Sequence, residues 1–309
     1  MQVEKAQAAQ HASTCRLAGL LRTLAIKQGL TPSLLPDVQF IRVDHAIPRE
    51  PIVYEPSIII VAQGRKRAFL GDQVYTYDPN NYMVLSVPLP LECETEATED
   101  EPLLAVSIKV DPAVLGELLV EMEDACMVPS MVGAVYSTPL TEDLACATER
   151  LLECLHSSMD SRILGAHIVR EMTYRVLCGE QGGALRALAA RHSRFGQIAR
   201  VLRRVHQEYD QALDVESLAR EANMSVSNFH HNFKAVTATS PLQYLKSIRL
   251  HKARMLMMQS GVNASTAAMQ VGYASLSQFS REFKRFFGFN PTCDSVQIRL
   301  DPISHFPRT

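Results

Sequence analysis

The spacing of apolar residues changes character three times along the chain. From Cys15 to Gly29, Leu17, Leu20, Leu21, Leu24 and Ala25 recur at helical intervals; Gly29 is a stop, and Thr31-Pro32 and Leu35-Pro36 break the chain beyond it. Between Val38 and Val110 the period becomes two. The β-branched run Ser57 to Ala62 suits a buried strand, Val74–Tyr77, Tyr82–Val87 and Leu103–Val110 follow it, and Gln63-Gly64, Leu70-Gly71-Asp72 and Asp78-Pro79-Asn80-Asn81 read as turns. Leu91, Cys93 and Thr95 alternate with Glu92, Glu94 and Glu96, so one face is apolar and the other acidic and solvated. Short strands at this spacing predict a small antiparallel barrel or sandwich. Asp111-Pro112 then opens a helix with Val114, Leu115, Leu118, Leu119 and Met122 on one side, capped by Asp111. Met127 to Pro139 has no period. Leu140–Met159 and Arg162–Leu177 return to helical spacing, the second through Ile163, Ala166, Ile168, Val169, Met172 and Val176.

The last third is written twice. Ser225-Val226-Ser227-Asn228-Phe229, Phe233-Lys234 and Pro241 recur fifty positions on as Ser275-Leu276-Ser277-Gln278-Phe279, Phe283-Lys284 and Pro291. Each copy predicts a short helix, a tight turn and a longer helix, which is helix-turn-helix spacing. Asp214 and Ser225 are caps in the first copy, with Val226, Phe229, Phe233 and Val236 inward. In the second, Ser265–Val271 precedes the Gly272-Tyr273 turn, and Phe279, Phe283 and Phe286 build the core. A helix from about Leu242 to Gln259 joins the copies. Eighteen residues of helix span roughly 27 Å, enough with its flanks to hold two reading helices about one DNA turn (~34 Å) apart. Lys246, Arg249, Lys252 and Arg254 on that helix are expected to add charge toward phosphates.

Charge sharpens this picture. The formal net charge of −2 hides thirteen Lys/Arg against six Asp/Glu between Arg194 and Asn290, a surplus of seven, so the remainder carries −9. Only the C-terminal part is suited to a polyanion. The outward residues of the two longer helices supply donors and acceptors for base edges and phosphates: Ser225, Ser227, Asn228, His230, His231 and Lys234 in the first, Ser277, Gln278, Ser280, Arg281 and Lys284 in the second. Seven cysteines, at 15, 93, 126, 146, 154, 178 and 293, show no C-x-x-C pair, which predicts a reducing cytosol without a disulfide framework or zinc site. No run of roughly eighteen apolar residues exists to span a membrane, and residues 1–13, polar and Gln/Ala-rich, lack the form of a secretory signal and read as a frayed tail.

At these residues the segment from about Phe195 to Asp294 resembles the AraC/XylS family of bacterial transcription regulators. The echoes are Arg249-Leu250 with Ala253-Arg254, Ala267-Ala268 with Val271-Gly272-Tyr273, Gln278 to Lys284, Phe287-Gly288 and Pro291. The resemblance implies two helix-turn-helix units joined by a long helix, with base-reading positions on Ser227, His230 and His231 and on Ser277, Gln278 and Arg281. Two features depart from the pattern: Asp294 and Ser295 stand where Tyr-Arg is frequent, and His230 and His231 stand where longer polar residues are common. Residues 38–110 resemble the cupin-like, effector-sensing N-terminal domain of one branch of that family, through Gln63-Gly64-Arg65-Lys66, Leu70-Gly71-Asp72 and Tyr75-Thr76-Tyr77.

The expected fold class is thus α+β and multidomain: an N-terminal cupin-like antiparallel β-barrel with flanking helices, then an all-α domain with two helix-turn-helix motifs. The expected divisions are a sensing and dimerisation domain over 1–182, a linker over 183–194, a DNA-binding domain over 195–295 and a tail over 296–309. The expected partners are double-stranded promoter DNA, a small, largely apolar effector inside the barrel, a second copy of the chain paired through the helices at 140–177, and RNA polymerase. Cys93, inward by its alternation, is a candidate for effector contact. No cofactor is expected. A cupin-type metalloenzyme would need clustered His and carboxylate ligands, and His45 is the one histidine between Val38 and Val110.

Overall fold

The computed structural model describes residues 14–122, 133–189 and 193–292. The tails at 1–13 and 296–309, the Asp294-Ser295 departure, Cys126 and Cys293 lie outside the described residues. A helix over 14–24 (α1) leads into ten strands: β1 Gly29–Pro32, β2 Val38–Val43, β3 Ile47–Tyr54, β4 Ser57–Gln63, β5 Arg65–Leu70, β6 Gln73–Tyr77, β7 Asn81–Leu85, β8 Leu89–Glu96, β9 Leu103–Lys109 and, after helix α2 (Pro112–Glu121), β10 Val135–Pro139. They form two antiparallel sheets, ordered β1-β2-β9-β4-β7-β10 and β3-β8-β5-β6. The Ser137 hydroxyl donates to the Thr76 carbonyl, joining the edge strand of the first sheet to the edge strand of the second. Ile58, Ile60, Val84 and Val106 share one face of the first sheet and Leu91 and Cys93 one face of the second, all buried.

Five strands were not singled out by the periodicity: β2 and β5, which lie inside the stretch of period two, and β1, β3 and β10, which are all sheet edges. β1 forms across Thr31-Pro32, where a chain break was expected; β3 carries Pro48 and Pro51 with an irregular register between Ile47 and Glu50; β10 occupies the stretch read as irregular and ends on Pro139. Proline removes a ladder donor, so it is tolerated at a sheet edge while it erases the local strand signal. β8 alternates as expected, but its glutamates do more than face water. Arg49 pairs with Glu92 (2.5 Å), Arg67 with Glu94 (2.5 Å) and Glu96 (2.7 Å), and Arg65 with Glu96 (3.7 Å), a ladder of charge across β3, β8 and β5.

Helices α3 (Glu142–Cys154) and α4 (Ser158–Cys178) follow, capped by Thr141 and Ser157. Ile163, expected inward on α4, is 56% exposed; Gly165 takes the buried place, packed on Leu35 so closely that a Cβ would fall 2.6 Å from its side chain. The expected linker is partly helical: α5 (Gly183–Ala189) buries Ala184, Leu185, Ala187 and Leu188 and packs on α2 and on α6 (Arg194–Gln207). Ser193 caps α6, and Phe195, Ile198, Val201, Leu202 and Val205 form its buried stripe. Then come α7 (Val215–Glu221), α8 (Val226–Thr237), α9 (Pro241–Ser260), α10 (Ala264–Gln270) and α11 (Leu276–Phe287). The apolar core runs unbroken from the sheets through α6 to Phe229, Phe233, Tyr244 and Ile248. A separate core holds the last unit, around Leu250, Ala253, Ala267, Phe279 and Phe283.

Candidate nucleic-acid interface

The two copies build the same turn. In the first, Asn223 takes a left-handed φ of 52° and the Met224 amide donates to the Ala219 carbonyl at 3.0 Å; in the second, Gly272 has φ 83° and the Tyr273 amide donates to the Ala268 carbonyl at 2.9 Å. These equivalents lie forty-nine positions apart, whereas Ser225 and Ser275 lie fifty apart, so the second turn holds one extra residue, Ala274. Both serines cap their helices, accepting from the amides of Asn228 and Gln278 at 3.3 Å. Ser225, expected at the DNA, is therefore first a cap.

Phe229 and Phe233 are fully buried beneath α8, as Phe279 and Phe283 are beneath α11. Val226 was expected inward but is 42% exposed, and Phe286 is only half-buried. The opposite faces carry the candidate readers. Ser227, Asn228, His230, His231 and Lys234 are exposed on α8, and Ser277, Gln278, Arg281, Lys284 and Arg285 on α11; Ser280 is half-buried. Within α8 the Asn232 amide donates to the Asn228 carbonyl and side-chain oxygen, at 2.7 and 2.9 Å. Within α11, Glu282 accepts from Gln278 (3.2 Å), Tyr273 (2.8 Å) and Lys246 (2.9 Å). The bond from Lys246 and those from Tyr273 and Gln278 hold the Glu282 carboxyl below the usual range against its partial burial.

The long helix differs from its expected role. Arg249 points at three backbone carbonyls, those of Tyr209 (2.7 Å), Gln211 (2.8 Å) and Gly272 (3.1 Å), and so ties α9 to the loop before α7 and to the second turn. Arg254 is 8% exposed, with its guanidinium 5.0 Å from the Phe287 ring centre. Lys246 is paired with Glu282, and Lys252 lies 5.7 Å from the Tyr209 ring. Charges expected to face phosphates thus hold the domain together instead. Sequence reasoning missed Arg249 because a helical periodicity says nothing about which carbonyls a loop presents.

Where the sheets meet the first unit, Tyr244 donates to the Pro88 carbonyl at 2.7 Å and lies 2.8 Å from His206 Nε2. A carbonyl only accepts, so the one phenolic proton is committed to Pro88 and the Tyr244 oxygen must accept from His206 Nε2–H. His206 Nδ1 is left 3.8 Å from Glu55, yet burial, with a smaller push from Lys252, drives the imidazole down to about 3. Inside the sheet domain, Cys93 sits in a buried cluster with Lys66, Tyr54 and Tyr77. The two tyrosine hydroxyls are 3.1 Å apart, and burial pushes the Cys93 thiol up despite the Lys66 charge.

A sheet domain fused to a helical domain carrying two complete helix-turn-helix units defines a class: the two-domain DNA-binding transcription regulators. Comparison with known proteins places the chain within that class. Residues 34–184 match the model of the AraC-type transcriptional regulator N-terminus, and residues 218–293 match a helix-turn-helix domain model. The chain belongs to the AraC family of transcriptional regulators. It is 24% identical over 280 residues to the virulence regulon transcriptional activator VirF of Yersinia enterocolitica, covering 87% of this chain and 99% of that one. The transcriptional regulator AlkR of Acinetobacter baylyi is 36% identical over 95 residues, a match spanning 31% of either chain. Among solved structures, ToxT of Vibrio cholerae with bound unsaturated fatty acid shares the fold, with a TM-score of 0.55 at 12% identity over 82% of this chain and 93% of that one.

Proposed function

We propose that this regulator is controlled by a small molecule taken up by the sheet domain and that it binds promoter DNA as a homodimer, both reading helices entering major grooves. The observation that carries the reading is the pair of capped helices with buried phenylalanines on one face and polar side chains on the other. On this reading Arg281 and Gln278 contact bases, Lys234 and Lys284 contact phosphates, and His230 and His231 make shorter-reaching contacts. The fatty acid in ToxT supports a largely apolar effector within a cupin-like pair of sheets. An exposed apolar row on α4, Met159, Ile163, Leu164 and Tyr174, supports pairing of two chains. The divisions at 182 and 195, a cytoplasmic setting and contact with RNA polymerase belong to the same proposal; no described helix is long and apolar enough to cross a membrane.

Genome-wide mapping of bound DNA tests the core of it: discrete sites sharing a motif are expected, and uniform coverage would overturn sequence-specific reading. Sedimentation at micromolar concentration tests the dimer, and a monomer there refutes it. Cys93→Ser with unchanged induction removes the thiol from effector sensing. The competing readings are an effector-independent DNA-binding protein, which the acidic, folded N-terminal half disfavours, and a cupin-type metalloenzyme. Among the described residues no three His, Cys, Asp or Glu side chains are grouped to hold a metal ion; stoichiometric iron or zinc in the purified protein would favour the metalloenzyme all the same.

A further inference from the structure

Asn228 and Gln278 occupy the same place in the repeat, the third position of their helices, and both are exposed. A residue there often reaches back to the capping serine. Here each engages the residue four further on instead, and the two partners, Asn232 and Glu282, have opposite hydrogen-bonding polarity. Glu282 is an ionised carboxylate that only accepts, so Gln278 must turn Nε2 toward it, at 3.2 Å. In the first copy the fixed point is a backbone carbonyl. The Asn228 carbonyl only accepts, so Asn232 must present Nδ2 there, at 2.7 Å. That same Nδ2 lies 2.9 Å from the Asn228 side chain, which must then offer its oxygen. The orientation of both amides follows from groups with a single possible role.

We infer that Asn232 and Glu282 are positioning residues that set opposite reading polarity in the two heads: Asn228 leads with its amide donors and Gln278 with its carbonyl acceptor. In a major groove a leading donor favours guanine O6 or thymine O4, and a leading acceptor favours adenine N6 or cytosine N4. Gln278 keeps one N–H for a second bond, which suits adenine further. The two heads therefore read non-equivalent half-sites, although their helices derive from one repeat. Glu282 is itself held by Lys246 from α9 and Tyr273 from the turn, which makes its acceptor rigid. This rests on Asn228 and Gln278 being base-reading residues.

The test is selection of bound sequences from a randomised duplex library by the full chain and its variants. Asn228→Ala and Gln278→Ala each identify the base position they erase. The wild type is expected to prefer guanine or thymine at the first position and adenine or cytosine at the second, each by roughly fivefold or more. Asn232→Asp replaces the donor partner by an acceptor at a half-buried surface site. It should turn Asn228 over and convert the first position to adenine or cytosine, leaving the second unchanged. Glu282→Gln, which can donate as well as accept, should flatten the second position. Should Asn232→Asp and Glu282→Gln both retain the wild-type bases while the alanine variants erase them, base reading stands and the positioning role falls. Alanine variants that leave the motif intact would instead remove Asn228 and Gln278 from base reading, and this inference with it. Asn232→Asp keeps the test decisive even if the Glu282 variant loses its fold.

Discussion

At the scale of single residues, the two copies act as controls for one another. Both reading helices end on a left-handed residue whose amide donates back one turn, Ala238 (φ 56°) and Gly288 (φ 86°). Glycine adopts that conformation freely and alanine pays in steric strain. Ala238→Gly is therefore expected to raise stability by about 1 kcal/mol, read from the urea midpoint at constant slope; a loss would mean that helix entropy outweighs the relief. Tyr244 gives a change of opposite sign. Removing its hydroxyl orphans both the Pro88 carbonyl and the His206 N–H in a buried place, so Tyr244→Phe should cost about 1–3 kcal/mol. Arg281 and Lys284 differ in what they should reveal. Arg281→Ala is expected to cost about 1–3 kcal/mol on a specific site and relax one base, while Lys284→Ala weakens all sequences alike and lowers the salt slope by roughly one. A uniform loss for Arg281→Ala would reassign it to phosphate. The capping serines and paired phenylalanines were readable in the chain because each obeys a local rule. Arg249 and Arg254 were misread because a cation's sequence position does not disclose whether carbonyls and aromatic rings surround it.

At the scale of elements, two helices carry buried imidazoles: His206 on α6, which packs on the first head, and His251 on α9, which joins the two heads. Burial drives each down to about 3, with Lys252 adding to it at His206 and Arg254 at His251. The unfolded chain binds these protons near pH 6.5. Above that value neither state is charged and the histidines contribute nothing to the difference. As pH falls below it, the unfolded state gains protons the native state refuses, so stability drops by about 1.4 kcal/mol per pH unit for each histidine until about pH 3. His251 lies between the Phe286 and Phe287 rings, 5.3 Å from each, so His251→Phe should remove one such slope between pH 6.5 and 5 in urea titrations; an unchanged slope would mean His251 is already solvated. The turn before α11 is equally constrained: a Cβ on Gly272 would sit 2.4 Å from the Asp210 carbonyl oxygen at φ 83°. Gly272→Ala is expected to cost about 2–4 kcal/mol through strain and crowding together. The elements themselves were legible wherever periodicity ran unbroken, which covers the reading helices, α9 and the strands β4, β6, β7, β8 and β9. The edge strands β1, β3 and β10 were not, because their prolines carry the signature of a break and their pairing is set by distant strands. The buried run of α4 was displaced for a related reason: Gly165 faces Leu35, a contact across more than a hundred residues that no local pattern encodes.

At the scale of the molecule, the division into a sensor and a reader does not coincide with the division of the core. Phe229 and Phe233 of the first head belong to the same apolar core as the sheets, while Phe279 and Phe283 of the second belong to another, bridged by the single helix α9. Tyr244 reinforces the first junction through Pro88, and Arg249 ties the second head back through Gly272. A change inside the sheets therefore reaches the first head through a shared apolar core, whereas the second head meets the sheets outside that core, where α11 contacts β3. Cooperative units defined by shared cores should open together. Native-state hydrogen exchange can separate them: Phe233→Leu, expected to cost roughly 1–2 kcal/mol, should lower protection in α8, α6 and the strands alike. Phe283→Leu should lower it in α10, α11 and the second half of α9 alone. If Phe283→Leu loosens the strands as much as Phe233→Leu does, the two cores act as one unit, and effector signals would reach both heads together rather than entering through the first.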